Sequence, residues 1–259
     1  MFGQRVVVTR TREQASELSK LLTDLGAEVL EIPTIKILPP GEDRRQDIID
    51  ALLELNSYDW LIFTSPNGVT AFFDLFFRRF KDLRDLGGAR IAAIGPVTAA
   101  RLKELHLQVD LMPEEAVSSK IAKAFENFES IENLKVCLLR AEVANPDLPK
   151  ALEDLGGIVD DIAVYKTVAE TEDPGGTASK FLAHGANWIT FTSASTVEHF
   201  HARFDLPNLR KKFPDTKFVS IGPETSKALR AIGLEPTREA REHTIKGVVQ
   251  AVLNGAHEH

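Results

Sequence analysis

Cysteine occurs once in this chain of 259 residues, and tyrosine, tryptophan and methionine twice each. A lone thiol, Cys137, excludes an internal disulfide and a cysteine-rich zinc site. No GxxxxGK[ST] stretch is present, which removes the P-loop, and no GxGxxG, which removes the dinucleotide fingerprint. HExxH is missing, and Ser65 and Ser193 have no GxSxG context, so neither a zinc protease nor a hydrolase triad can be assigned. Long apolar runs are also missing. Stretches such as Trp60–Phe63 are far too short to span a bilayer, so no membrane partner is expected. The opening residues, MFGQRVVVTRTREQ, have no signal-peptide h-region, and the expectation is a cytoplasmic protein in a reducing compartment.

Basic residues number 31 against 38 acidic ones, a formal net charge of −7. That balance argues against general nucleic-acid binding, which leaves a basic footprint, although it permits a local basic cleft. With 43% hydrophobic and 27% charged residues, the chain has the composition of a globular protein rather than a disordered one. Its length allows one large or two small domains.

Three pairs of segments repeat in the same order. Residues 5–37 resemble 134–168, where Arg10 pairs with Arg140 and Gly26 with Gly156, an offset of 130. Residues 58–76 resemble 186–204, where Trp60 pairs with Trp188 and Thr64 with Thr192, an offset of 128. Residues 90–102 resemble 217–229, where Gly95 pairs with Gly222 and Thr98 with Thr225, an offset of 127. Nearly constant offsets imply an internal duplication.

Each half alternates strand and helix. Apolar, β-branched runs read as buried parallel strands at Arg5–Thr9, Trp60–Thr64, Ile91–Ile94, Val136–Leu139, Ile189–Thr192 and Phe218–Ile221, with a further strand at Ile162–Tyr165. Leu18, Leu21, Leu22 and Leu25 mark a helix that Gly26 stops. The fold class is therefore α/β, with two similar parallel-sheet domains. Proline and glycine punctuate residues 33–41 and 166–176, equivalent places in the two repeats. Two such stretches predict that the chain crosses between domains twice. One domain would be 1–34 with 170–259, the other 40–165, and 35–39 and 166–169 would be the crossing linkers.

Ligands of open parallel sheets bind outside the carboxyl ends of the strands, where helix N-termini attract anions. The loops there are Thr64-Ser65-Pro66-Asn67-Gly68 with its copy Thr192-Ser193-Ala194-Ser195-Thr196, and the turns Gly95-Pro96-Val97-Thr98 and Gly222-Pro223-Glu224-Thr225. Composition alone favours plain helix capping over anion binding. Arg10, Arg12 and Arg140 follow strands and suit bidentate carboxylate binding or simple solvation. Tyr165 at the domain junction could donate a proton, or pack and tether a linker. His199 and His201 have the wrong helical spacing to share a metal, His257 and His259 lie in the tail, and Cys137 reads as a buried inert thiol.

The two TS loops, the two IGP-x-T turns and the opening VVVTRTREQASELSKLLTDLGAEVLEIPTI together resemble the uroporphyrinogen-III synthase family along essentially the whole chain. The resemblance implies two flavodoxin-like domains joined by a two-stranded linker. It implies cyclisation of hydroxymethylbilane, with loss of water and inversion of ring D through a spiro intermediate, and no cofactor or metal. It carries Thr64, Ser65, Asn67, Gly95, Thr98, Thr192, Ser193, Ser195, Gly222, Thr225, Arg10 and Arg140 over as substrate-binding residues. Tyr165 matches the family tyrosine of the V-Y-x-T strand, the group that assists departure of the hydroxyl. Handover from hydroxymethylbilane synthase and a monomeric enzyme are the accompanying expectations, with a locally positive cleft for the acidic substrate. The family's Tyr-Thr-x-x-Gly stretch is here His243-Thr244-Ile245-Lys246-Gly247, and its first-repeat counterpart, Val117-Ser118-Ser119-Lys120, lacks the glycine. The alternative is a non-catalytic small-molecule binding or regulatory module on the same scaffold. Intact TS loops together with Tyr165 favour the enzyme.

Overall fold

Four consecutive large apolar residues, Trp60–Phe63, form a strand with no exposed position, and Trp188–Phe191 form another. Such strands need cover on both faces, which only flanking helices supply. The computed structural model describes residues 1–115 and 119–256, apart from the side chains of residues 12–14 and 119. The chain opens with β1 (Arg5–Val8), α1 (Arg12–Asp24), β2 (Glu28–Glu31), β3 (Ile35–Leu38) and α2 (Arg45–Leu53). β4 (Trp60–Phe63), α3 (Pro66–Arg79), β5 (Arg90–Ala93), α4 (Pro96–Glu104) and α5 (Ser119–Phe128) follow. Next come β6 (Lys135–Ala141), α6 (Asp147–Asp154), β7 (Ile158–Ala169), α7 (Thr177–His184) and β8 (Trp188–Phe191). α8 (Ala194–Phe204), α9 (Leu206–Lys212), β9 (Lys217–Ser220), α10 (Pro223–Ala231), β10 (Arg238–Glu239) and α11 (Ile245–Ala256) complete the chain.

Two units result: Met1–Lys36 with Val168–His259, and Ile37–Thr167. The first holds a sheet of order β10-β9-β8-β1-β2, in which every pair of neighbours is parallel. The sheet of the second has the order β3-β7-β6-β4-β5, and its β7-β6-β4-β5 part is parallel throughout.

In the first unit, Val6, Val8 and Trp188 face Leu18 and Leu22 of α1 and Val252 of α11. Val7, Ile189 and Phe191 face the other way, toward Phe181 of α7 and Phe200 of α8. In the second unit, Leu61 and Phe63 pack on Phe72 and Phe76 of α3, while Trp60 and Ile62 pack on Ile121 and Phe125 of α5. Each side chain of this size contributes about 1.5–3 kcal/mol when fully buried. The buried indoles do not sacrifice a hydrogen bond. Trp60 Nε1 donates to Glu129 at 2.9 Å and Trp188 Nε1 to Gln4 at 3.1 Å.

β1, β4, β5, β8 and β9 end one residue earlier than the apolar runs suggest, leaving Thr9, Thr64 and Thr192 just outside the ladders, whereas β6 runs two residues past Leu139 and takes in Arg140. Gly26 and Gly156 both follow helices at φ +86° and +85°, where a glycine costs least. β7 departs furthest from expectation. Tyr165 does not end β7, which continues to Ala169 because β3 lies beside it in the sheet and pairs its backbone. Most of the stretches 35–39 and 166–169 is therefore strand rather than irregular linker.

The β6–β7 register also slips. Arg140 pairs with Ala163, but Ala141 pairs with Tyr165. The extra residue is a bulge, a device that re-aims side chains beside functional sites. As a result Ile162, Val164 and Tyr165 all enter one apolar cluster, although strict alternation would separate the last two.

The start of α11 explains the Thr-x-x-Gly spacing. Thr244 Oγ1 accepts a hydrogen bond from Gly247 N–H at 3.0 Å. A Cβ on Gly247 would stand 2.0 Å from the Glu242 carbonyl oxygen, which is backbone and cannot swing away. Gly247→Ala is expected to destabilise the protein by about 1–3 kcal/mol through overpacking. Thermal unfolding followed by circular dichroism would show a midpoint lower by several degrees; an unchanged midpoint would refute the steric argument.

Candidate active site

In the second unit, the carboxyl ends of β4, β5 and β6 bring together the first TS loop, the first Gly-Pro turn and Arg140, with Tyr165 of β7 opposite the last residue of β6. Ser65 is the N-cap of α3, and Pro66 begins the helix at a position where no N–H is needed. Ser65 Oγ accepts the N–H of Gly68 at 3.0 Å and lies 2.9 Å from the Tyr165 hydroxyl oxygen. The two residues stand 100 apart in sequence and meet because β7 and β4 flank β6.

Tyr165 is only 7% exposed, and its ring sits in the apolar cluster of Phe63 and Val69. Burial raises the phenol's pKa above the usual value, and the bond with Ser65 opposes that rise. Gly68 lets the loop lie close: a Cβ there would meet Leu139 O and Ser65 Oγ at 3.4 Å and Tyr165 Cε1 at 3.8 Å. Thr64, Ser65 and Asn67 are half-buried, so each keeps some surface for a ligand.

Other expected residues face inward. Thr98 is buried and donates to Ile94 O at 3.1 Å, so it fastens the turn below α4. Gly95 has φ +92°, which explains why glycine is required there. Arg140 has a side chain 9% exposed, ion-paired with Asp161 on the neighbouring strand. Its Nε and Nη2 donate to the two Asp161 carboxylate oxygens and its Nη1 to Asn145 O at 2.6 Å. Three of the five guanidinium N–H donors are therefore held within the fold.

The first unit presents the copied loops. Ser193 caps α8 by accepting Thr196 N–H at 3.3 Å, and Thr196 Oγ1 accepts Ser193 N–H at 3.3 Å to close a capping box. Thr192, Ser193 and Ser195 are half-buried, and Ser195 Oγ lies 3.0 Å from Ser193 Oγ. Thr225 is buried. Gly222 has an extended backbone open to any residue, but a Cβ on it would stand 3.0 Å from the His243 ring. Glycine here makes room for His243, the residue that stands where the family often has tyrosine.

Arg10, beyond β1, lines a cavity of about 140 Å³ with Glu31, Pro33, Asp173 and Arg203. Burial lowers the pKa of its guanidinium, and Glu17 opposes that effect. Arg203 was not a sequence candidate. It donates to Glu170 O and Thr171 O, each at 2.9 Å, and to Pro33 O at 3.3 Å, holding two chain segments together. Nothing in the spacing of residues points to it.

Cys137 is fully buried, and burial pushes its thiol far above the ordinary range, which suits an inert core residue. His201 Nδ1 accepts Leu206 N–H at 3.2 Å, a structural role. Among the described residues, no group of three or more His, Cys, Asp or Glu side chains converges as metal ligands would. None of their helices is long and apolar enough to cross a membrane. The Arg12 side chain, Val117, Ser118, the Ser119 side chain, His257 and His259 lie outside the described residues.

The Arg140–Asp161 pair can be weighed directly. Asp161 is 37% exposed, so the cost of breaking the pair falls below that of a fully buried one, at about 2 kcal/mol. Arg140→Ala and Asp161→Ala are each expected to lower stability by about that much, and the double variant by little more. Denaturant unfolding of the four proteins measures the coupling. Fully additive losses would show that the pair does not act as a unit.

Comparison with known proteins adds family to geometry. The family model described as Uroporphyrinogen-III synthase HemD matches residues 16–250. The porphyrin biosynthesis protein HemD of Ruminiclostridium josui is 31% identical over 255 residues, covering 98% of this chain. The chain spans about half of that relative's length, 49%. The uroporphyrinogen-III synthase of Synechococcus elongatus is 27% identical over 257 residues, covering 97% of this chain and 95% of that one. Among solved structures, a mutant uroporphyrinogen III synthase from Thermus thermophilus aligns with TM-score 0.68 at 21% identity, covering 99% of this chain and 100% of that one. The uroporphyrinogen-III synthetase of Helicobacter pylori aligns with TM-score 0.64 at 18% identity, covering 98% of this chain and 99% of that one. These two similarities establish the fold.

Proposed function

The chain belongs to the uroporphyrinogen-III synthase family, and from that membership we propose that it cyclises hydroxymethylbilane to uroporphyrinogen III, losing water and inverting ring D. The observation that carries the reading to this chain's own residues is the meeting of Tyr165 with Ser65 at 2.9 Å, beside a half-buried hydroxyl loop. A buried phenol stays protonated at neutral pH, as a proton donor to a departing hydroxyl must. The electron-rich pyrrole expels that hydroxyl largely unaided, so the acid contributes a modest factor. The larger task is to hold ring D for attack through its substituted carbon, which is catalysis by positioning.

The substrate bears eight carboxylates. We assign Thr64, Asn67, Thr192 and Ser195 to contacts with them, because these side chains are half-buried at the N-termini of α3 and α8. Arg10 supplies positive charge beyond β1. Gly95, Thr98, Gly222 and Thr225 shape the loops, Ser193 caps α8 and Arg140 braces β6 against β7. With a net charge of −7, binding relies on this local potential rather than on the overall field. A bilane that closes spontaneously favours direct supply by hydroxymethylbilane synthase, and a single buried thiol suits the cytoplasm.

We also propose that the two units arose by duplication of one flavodoxin-like half. The orders β2-β1-β8-β9 and β7-β6-β4-β5 match strand for strand at the offsets 130, 128 and 127. Counted within the first unit, its order is 2-1-3-4-5, the flavodoxin-like arrangement.

The test generates hydroxymethylbilane in situ, oxidises the products and separates the porphyrin isomers by chromatography. Type III isomer dependent on this protein is the expected result. Tyr165→Phe should retain type III formation at a rate lower by about tenfold, below the usual span for a general acid. Only the type I isomer, from well-folded protein, would overturn the synthase reading and favour a binding module.

A further inference from the structure

We propose that Ser65 is a positioning residue for the Tyr165 proton: held by the Gly68 N–H, its hydroxyl donates to the phenol oxygen and leaves the phenol's own proton directed at the departing hydroxyl. This rests on the synthase reading and assigns Ser65 a task other than holding substrate.

A serine hydroxyl has one proton and two lone pairs. Gly68 N–H occupies one lone pair of Ser65 Oγ, and the Tyr165 oxygen stands at hydrogen-bond distance from the same atom. Two arrangements satisfy that geometry. If Tyr165 donates to Ser65, the phenol proton is committed inside the protein and cannot reach a leaving group. If Ser65 donates, the phenol proton faces outward. A substrate oxygen approaching with a lone pair selects the second.

The step then balances. The C–O bond of the hydroxymethyl group breaks and its electron pair leaves with oxygen. That oxygen takes the Tyr165 proton and departs as water. The substrate becomes a cation and Tyr165 a phenolate, which regains a proton when the closing macrocycle sheds one. During the charged interval, Ser65 donates to an anion. Hydrogen bonds to ions are about twice as strong as neutral ones. Because the gain appears only as charge develops, it lowers the barrier rather than tightening ground-state binding. Ser65 also stands at the N-terminus of α3, whose dipole favours negative charge there. The bond with Ser65 is the one influence that draws the phenol's pKa back down against burial.

The test uses the fact that the chain has only two tyrosines, Tyr58 and Tyr165. In a Tyr58→Phe background, the ultraviolet phenolate band reports Tyr165 alone. Ser65→Ala should move that titration upward by about one pH unit, a tenfold drop in the acid dissociation constant. It should lower kcat about as much as Tyr165→Phe, leave KM little changed, and add nothing further when combined with Tyr165→Phe. Ser65→Thr, which keeps the hydroxyl, should restore both. Ser65→Asp separates this role from helix capping, because a carboxylate caps α3 but cannot donate to a phenol; it should stay impaired. An unmoved titration with type III still formed, or wild-type kcat in Ser65→Asp, would overturn this proposal alone. A wild-type protein making only type I would overturn the synthase reading, and the role of the proton with it.

Discussion

A parallel strand buried on both faces cannot carry chemistry along its length. In each unit one interior strand, β4 or β8, is closed to solvent from end to end, with a tryptophan first and a phenylalanine last. Every polar group that is to meet a ligand must then lie where the ladder stops. This is why the hydroxyl loops and the Gly-Pro turns follow the carboxyl ends of strands, why Tyr165 stands level with Ala141, the last residue of β6, although its own strand runs on, and why the helices that cover the sheet start there too. The apolar demand of the core and the location of the site are one constraint.

The same constraint divides residues of identical type into two kinds. Thr9 and Thr190 are buried, and each returns its hydroxyl to a backbone carbonyl, Thr190 O at 2.8 Å and Val7 O at 2.9 Å. Thr98 does likewise one turn into α4. Thr64 and Thr192, one residue beyond their strands, keep surface to offer. Thr9 stands equally one residue beyond its strand, so place along the chain does not separate the two kinds; what separates them is whether the hydroxyl is turned to a carbonyl inside the fold.

Sequence alone revealed seven of the ten strands among the described residues, because their short apolar runs are β-branched, and the helix ends, because Gly26 and Gly156 follow leucine-rich periodicity. It also revealed the family, through loops in a fixed order. It did not reveal the reach of β7. Lys166-Thr167-Val168-Ala169 precedes a Pro-Gly stretch and reads as linker, yet pairing with β3 extends the strand through it. Nor could it reveal the bulge, since a register slip depends on the neighbouring strand. The partners of Arg140 and the meeting of Ser65 with Tyr165 were equally hidden. Both depend on which strands lie side by side, and sheet order is not written in local pattern. Gly222 was recognisable as a turn glycine, but its reason, the ring of His243, lies 21 positions away in the chain.

Gly68 has a consequence of a different kind. At the offset of 128 its counterpart is Thr196, whose side chain completes the capping box of α8; at the offset of 130 the counterpart of Tyr165 is Ile35. α3 is therefore capped from one side only, by Ser65 Oγ, whereas Ser193 and Thr196 cap α8 reciprocally. The helix that starts beside Tyr165 gives up the second half of its cap for the room that a side chain at residue 68 would fill.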